Sequence, residues 1–212
     1  MKKNIRKAIK ILNEQNYKRT DFVQLMEGLK NPYLVLVFCI LSLRTKDETT
    51  YGAALRLFEL AKTPQEMMQK TQEQIAQAIY PVGFYRNKAR QIKELSQEIV
   101  EKYNGLVPKS IEELCRFNGV GRKTANLTMA KGFGEPAICV DVHVHRICNR
   151  WGYVSTKTPD ETELVLRKQL PQDLWLDINT ILVTFGQNIC KPITPKCNEC
   201  KIREFCKTGQ IK

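Results

Sequence analysis

The chain has 212 residues, with 34 Lys plus Arg against 22 Asp plus Glu and a formal net charge of +12. That length supports one large core or two small ones. The cationic surplus points to a polyanion as partner: DNA, RNA or an acidic membrane surface.

The opening, MKKNIRKAIKILNEQ, is basic but has no apolar run of signal-peptide length behind it. Phe22, Leu25 and Leu29 recur at helical spacing. The most apolar stretch, YLVLVFCILSL from Tyr33 to Leu43, is about half the ~20 residues of a membrane span and reads as a buried core helix. With neither signal peptide nor span, the protein is expected inside the cell, where structural disulfides are disfavoured. Thr63 to Glu66, Thr71 to Gln74, Ser110 to Glu113 and Thr158 to Glu161 each read as a capping box, in which hydroxyl and acid or amide satisfy first-turn amides reciprocally. Pro64 and Pro159 take the first helical position, where the missing N–H costs nothing. No run alternates with period two, and no Asn-Gly or Asp-Gly joins two apolar runs. These signals predict an all-α protein of about ten helices. There is no internal repeat and no low-complexity linker, so any domain division must come from packing.

IEELCRFNGVGRKTANLTMAKGFG, from Ile111 to Gly134, carries the first chemical signal. A helix is expected to start at Ser110 and stop at Asn118-Gly119, because glycine tolerates left-handed φ. Val120 lies between Gly119 and Gly121, and a second helix begins near Arg122. Glycines let the backbone approach a ligand, and the helix N-terminus behind them presents free amides, which suits a phosphate. An ordinary helical hairpin has the same pattern. Lys123 opens the second helix beside Arg122, where the helix dipole disfavours a cation. Both neighbours favour the neutral amine, which attacks a sugar carbon or aldehyde to form a Schiff base. A simple phosphate contact is the other reading.

Asp141 follows an apolar run and precedes a helical pattern, so it reads as an N-cap. A carboxylate fixed in that way can also stabilise positive charge on a sugar losing its base. His143 and His145, the only histidines, are two apart and fall on different helix faces, which argues against a shared metal. Near the end, Cys190, Cys197, Cys200 and Cys206 follow the spacing Cys-x6-Cys-x2-Cys-x5-Cys. Only Cys197 and Cys200 form the tight pair that zinc sites use twice over. Four thiolates on a wide loop suit a larger body such as a cubane iron–sulfur cluster, with zinc, disulfides or free thiols as the other readings. Cys39, Cys115, Cys139 and Cys148 stand singly in apolar surroundings and read as small buried hydrophobes.

Gly119-Val120-Gly121-Arg122-Lys123-Thr124-Ala125-Asn126, then Val140-Asp141-x-His143, then the cysteine tail resemble endonuclease III of the helix–hairpin–helix DNA glycosylase superfamily. LSLRTKDETT (Leu41 to Thr50), VGFYRNKA (Val82 to Ala89) and FGQNIC (Phe185 to Cys190) resemble family segments in the same order, so the match runs along nearly the whole chain. The resemblance implies a two-lobed α-helical fold. Residues 22–134 would form a six-helix barrel domain with the helix–hairpin–helix. Residues 1–21 plus 135–212 would form a discontinuous domain with a [4Fe-4S] cluster, and the site would lie in the cleft between the lobes. Lys123 is then the nucleophile and Asp141 the assisting carboxylate. Cys190, Cys197, Cys200 and Cys206 are the cluster ligands, and Lys191, Lys196, Lys201 and Arg203 on their loop face DNA, as do Gly119, Val120 and Gly121.

The implied activity is a base-excision DNA glycosylase with abasic-site lyase activity. It removes damaged, chiefly oxidised, pyrimidines from double-stranded DNA and works as a monomer in the cytoplasm, nucleoid-associated and away from membranes. The alternatives are a monofunctional mismatch glycosylase, whose kind tends to lack lysine at the position of Lys123, and a non-enzymatic DNA-binding iron–sulfur module. Two positions depart from the family. Arg44 stands where glutamine is common, in the segment that fills the space of a flipped base, and Phe84 replaces an aliphatic wedge residue. In a DNA complex Arg44 is expected to meet the orphaned base or a phosphate.

Overall fold

In the computed structural model, which describes residues 2–211, every regular element among the described residues is helical. Contacts divide the chain into two compact units, Thr20–Glu135 and Met1–Arg19 with Pro136–Lys212.

The second unit begins with α1 (Ile5–Asn13), which buries Ile5, Ala8, Ile9 and Leu12, a stripe of helical period. The Thr20–Glu135 unit holds α2 (Asp21–Gly28), α3 (Pro32–Ser42), α4 (Asp47–Leu60), α5 (Pro64–Met68), α6 (Gln72–Ile79), α7 (Tyr85–Tyr103), α8 (Ile111–Leu114) and α9 (Arg122–Leu127). Chain 136–211 adds α10 (Val142–Arg150), α11 (Pro159–Gln169), α12 (Ile178–Asn188) and α13 (Lys207–Ile211) to α1. Among the described residues the thirteen α-helical segments exceed the expected ten or so because short turns such as α5, α8 and α13 are separate elements.

α3 is the predicted core helix. Tyr33 and the run Val35 to Leu41 are all buried, so apolar side chains face inward all round it. No helix among the described residues is long and apolar enough to cross a membrane. Asn31 starts α3 by accepting from the amides of Tyr33 and Leu34 through Oδ1, and Pro32 takes the first position. α4, α7 and α9 pack on α3, while α5 and α6 pack on α7. α7 buries Lys88, Ala89, Ile92, Leu95, Ser96 and Ile99, a largely apolar stripe that carries one serine and one lysine. In the other unit α1, α10, α11 and α12 close over Trp151, Phe185, Ile147 and Leu182.

Two expected capping boxes are complete, at Thr63/Glu66 and Thr71/Gln74. The other two are one-sided. Ser110 and Thr158 accept from the amides of Glu113 and Glu161. The Glu161 carboxylate, however, reaches the amide of Lys157, one residue before the cap, and the Ser110 hydroxyl donates to Glu112. α8 also ends sooner than expected, at Leu114. Beyond it the chain tightens into i→i+3 turns, with Arg116 N on Glu113 O and Phe117 N on Leu114 O.

Candidate functional site

The hairpin between α8 and α9 is built from its glycines. Gly119 has φ +75°, and a Cβ there would run into the Gln91 side chain. Gln91 in turn donates from Nε2 to the Asn118 carbonyl at 2.6 Å and pins the turn to α7. Gly121 is the N-cap of α9 and is exposed, as are Arg122 and Lys123 of the first turn, while Val120 is buried as the anchor of the hairpin. Lys123 therefore projects from a helix start directly after a close-packed turn. Its charge is felt by Cys39 on α3: burial pushes that thiol up to about 12, and Lys123 pulls it back. α9 runs on into a π-helical turn over Thr128–Gly132, closed by Phe133 N on Thr128 O at 3.2 Å.

Asp141 belongs to the other unit and does cap α10. Its Oδ1 accepts from the amides of His143 at 2.8 Å and Val144 at 2.9 Å. Cys148 lies near enough for the carboxylate to add to the rise that burial causes, to about 12. The two histidines go separate ways: His145 Nδ1 meets Thr162 Oγ1 at 2.7 Å, and His143 Nδ1 meets Arg146 at 3.2 Å.

The four tail cysteines are brought together. Cys190, Cys197, Cys200 and Cys206 line one cavity of about 30 Å³ together with Arg150, Trp151 and Phe185. None is in a disulfide. Among the described residues no three His, Cys, Asp or Glu side chains converge on a single metal ion. Four thiols lining one cavity are a donor set of the kind that an iron–sulfur cluster or a zinc ion takes. Two N–H groups point at these sulfurs: Gly209 N at 3.3 Å from Cys206 Sγ and Arg150 Nη1 at 3.5 Å from Cys190 Sγ. Arg150 also donates to the carbonyls of Lys191 and Pro192, and Arg146 to that of Cys190. Sequence gave no sign of these two braces, because nothing in an α10 arginine marks the loop it meets. Lys191, Lys196 and Lys201 are exposed on the loop, and Lys196 pairs with Glu199 at 3.3 Å. Arg203 is turned inward, donating to Gly209 O and Asn198 Oδ1, and so ties the loop.

Arg44 and Phe84 are neighbours. Arg44 is exposed, with φ +51°, and its guanidinium lies 6.0 Å from the centroid of the Phe84 ring. Phe84 is 60% exposed with φ +58°. Left-handed φ in bulky residues is a strained state kept only where surroundings impose it. Gly83 explains how the two segments come so close, since a Cβ there would lie 2.7 Å from Arg44 O. Lys88, the one cation in the buried stripe of α7, donates to Leu41 O, Leu43 O and Thr45 Oγ1 beside them.

Residues 37–172 match the HhH-GPD superfamily base excision DNA repair protein model. The chain is 48% identical to endonuclease III of Thermotoga maritima over 192 residues, covering 91% of this chain and 85% of that one. It is 42% identical to endonuclease III-like protein 1 of Gallus gallus over 84% of its own length but only 64% of the chicken protein. Among solved structures, a trapped endonuclease III–DNA covalent intermediate superposes with a TM-score of 0.85 at 33% identity, covering 100% of this chain and 98% of that one. The chain belongs to the endonuclease III family of the HhH-GPD superfamily and is an enzyme of the base-excision DNA glycosylase and abasic-site lyase class.

Proposed function

We propose that this enzyme removes oxidised pyrimidines from duplex DNA through a Schiff base on Lys123, with Asp141 as the assisting carboxylate. The observation that carries the reading is the position of Lys123, exposed in the first turn of α9 directly behind the Gly119–Gly121 hairpin. An endonuclease III captured as a covalent intermediate with DNA supports it.

The cationic surface docks on the phosphates, and the damaged nucleotide flips out where pairing is weak. Lys123 Nζ, as the neutral amine, bonds to C1′ while the bond from C1′ to the base breaks, and the base leaves with the electron pair and takes up a proton. Asp141, held through Oδ1, keeps Oδ2 for the positive charge that grows on the sugar. The ring opens to an imine. Loss of a C2′ proton then expels the 3′ phosphate by β-elimination, and water releases Lys123. Gly119, Val120 and Gly121 would seat a phosphate, Arg44 and Phe84 would meet the bases, and Lys191, Lys196 and Lys201 would hold the backbone, with Arg203 fixing their loop. The Thr20–Glu135 unit, close to the expected 22–134, acts as the barrel domain, and Met1–Arg19 with Pro136–Lys212 as the cluster domain. The protein acts as a monomer in the cytoplasm.

Cys190, Cys197, Cys200 and Cys206 fit a [4Fe-4S] cluster, which when bound supplies metal–thiolate bonds that fix the loop and leaves the sugar chemistry to Lys123. Purified protein should be brown with about four irons per chain; colourless, fully active protein with stoichiometric zinc would contradict this.

Borohydride with abasic-site DNA tests the chemistry. Wild type should be trapped covalently, and Lys123→Gln should not, while Lys123→Gln keeps its duplex affinity within about threefold because one cation among many is lost. Wild-type trapping by Lys123→Gln would assign the nucleophile elsewhere. A wild type that excises bases without being trapped would be a monofunctional glycosylase.

A further inference from the structure

The end of α3 and the α3–α4 loop meet the start of α7 on one buried cation. Lys88 sits in the first turn of α7, where the dipole disfavours positive charge, and it is 5% exposed. Its Nζ donates to Leu41 O at 2.8 Å, to Leu43 O and to Thr45 Oγ1 at 3.1 Å. An ammonium has three N–H bonds, and each has an acceptor here. Thr45 Oγ1 donates to Leu43 O at 3.2 Å and accepts from Gly83 N at 3.1 Å, so the hydroxyl bridges the two loops. On either side of this knot stand Arg44 and Phe84, both left-handed and both exposed. A buried charge is a poor way to stabilise a core, since an apolar chain of the same volume fills the space without the desolvation cost. Burial accordingly pushes Lys88 down to about 8. What the ammonium provides, and a methylene does not, is a fixed geometry for three acceptors at the end of α3 and in the loop behind it.

We propose that Lys88 is the positioning residue for the Arg44–Phe84 pair: it ties the two loops into one rigid wedge and so sets how strongly the enzyme depends on the base opposite the lesion. Lys88 itself touches no DNA. The inference rests on the glycosylase reading above.

The test uses the cluster-loaded enzyme. Single-turnover rates are measured for one oxidised pyrimidine opposite each of the four bases, for wild type, Lys88→Met, Lys88→Arg, Arg44→Gln and the Lys88→Met/Arg44→Gln pair. Borohydride trapping on single-stranded abasic DNA, which has no opposite base, is run beside them. Wild type should spread its four rates by about tenfold, and Lys88→Met should level them to within about twofold. Lys88→Arg, which keeps donors and charge, should recover part of the spread. The double variant should be no slower than Arg44→Gln, because both changes disable one unit. Trapping of Lys88→Met on single strands should match wild type. A Lys88→Met that keeps the spread, losses that add in the double variant, a wild type with no spread, or a Lys88→Met that loses single-strand trapping as heavily as duplex activity would each overturn the proposal. If Lys88→Met does not fold, Thr45→Val should level the rates and Thr45→Ser should restore them. Failure of wild type to be trapped on any abasic DNA would instead overturn the Schiff-base reading and is scored separately.

Discussion

Asp141 caps a helix and is proposed to serve chemistry, and one substitution separates the two. Both amide contacts fall on Oδ1, and an asparagine oxygen caps a helix about as well as an aspartate one. Asp141→Asn should therefore melt within a degree or two of wild type while releasing base about 10²- to 10³-fold more slowly, the scale of losing one transition-state charge partner. Asp141→Ala should lose the cap as well, at a further cost of about 1 kcal/mol of stability. Thermal melting and single-turnover base release on the same samples check this; an Asp141→Asn that excises at the wild-type rate would remove the carboxylate from the mechanism. At Arg44 the question is what the guanidinium reads. Its fork matches O6 and N7 of guanine, and adenine offers an acceptor beside a donor, so lesions opposite guanine should be processed faster by up to about tenfold. Arg44→Gln should flatten that preference. An equal loss opposite all four bases would mean a phosphate contact instead.

At the scale of elements, the approach of the α3–α4 and α6–α7 loops depends on Gly83. An added Cβ would stand 2.7 Å from the Arg44 carbonyl, a backbone atom that cannot swing aside. Gly83→Ala should cost about 1–3 kcal/mol by urea unfolding, as overpacking does, and should erase the opposite-base preference along with the wedge; an unchanged preference would mean the two loops read DNA independently. This region also marks where sequence reading stops. α3 was legible because the apolar-rich run behind Asn31-Pro32 leaves few alternatives. The Thr63 and Thr71 boxes were legible because a cap is a local event spanning four residues. The end of α8 was not, because nothing near Leu114 breaks a helix; the tight turns to Gly119 are set by Gln91, which lies 27 residues earlier. The Lys88 knot was illegible for the same reason, since its acceptors are 43 to 47 residues upstream. The place of Lys123 behind its hairpin, the Asp141 cap and the gathering of the four tail cysteines were legible because a hairpin, a cap and a spacing are all written within short windows.

Over the whole molecule, the buried titratable groups set how stability responds to alkali. Burial pushes Cys39 and Cys148 from 9.0 up to about 12, and Tyr33 upward also. Below about pH 9 these groups are protonated in both the folded and the unfolded chain, so their contribution is fully present. As pH climbs from about 9 towards 12 the unfolded chain gives up protons that the fold retains, and stability falls by roughly 1.4 kcal/mol per unit for each thiol. Lys88 acts with the opposite sign. Its folded value of about 8 lies below the ordinary 10.5, so between those limits the unfolded chain binds more protons and this group's share of stability rises with pH. The two effects offset each other near pH 9, and above that the thiols and Tyr33 outnumber the single lysine. Urea midpoints for wild type should therefore change little between pH 7 and about 9 and drop steeply beyond it. Cys39→Ala/Cys148→Ala, compared with its own midpoint at neutral pH, should drop less steeply, and Lys88→Met should begin its decline earlier because it lacks the compensating term. A decline of unchanged slope in the double cysteine variant would place the alkaline weakness outside these two thiols, with Tyr33 the next residue to replace, by phenylalanine.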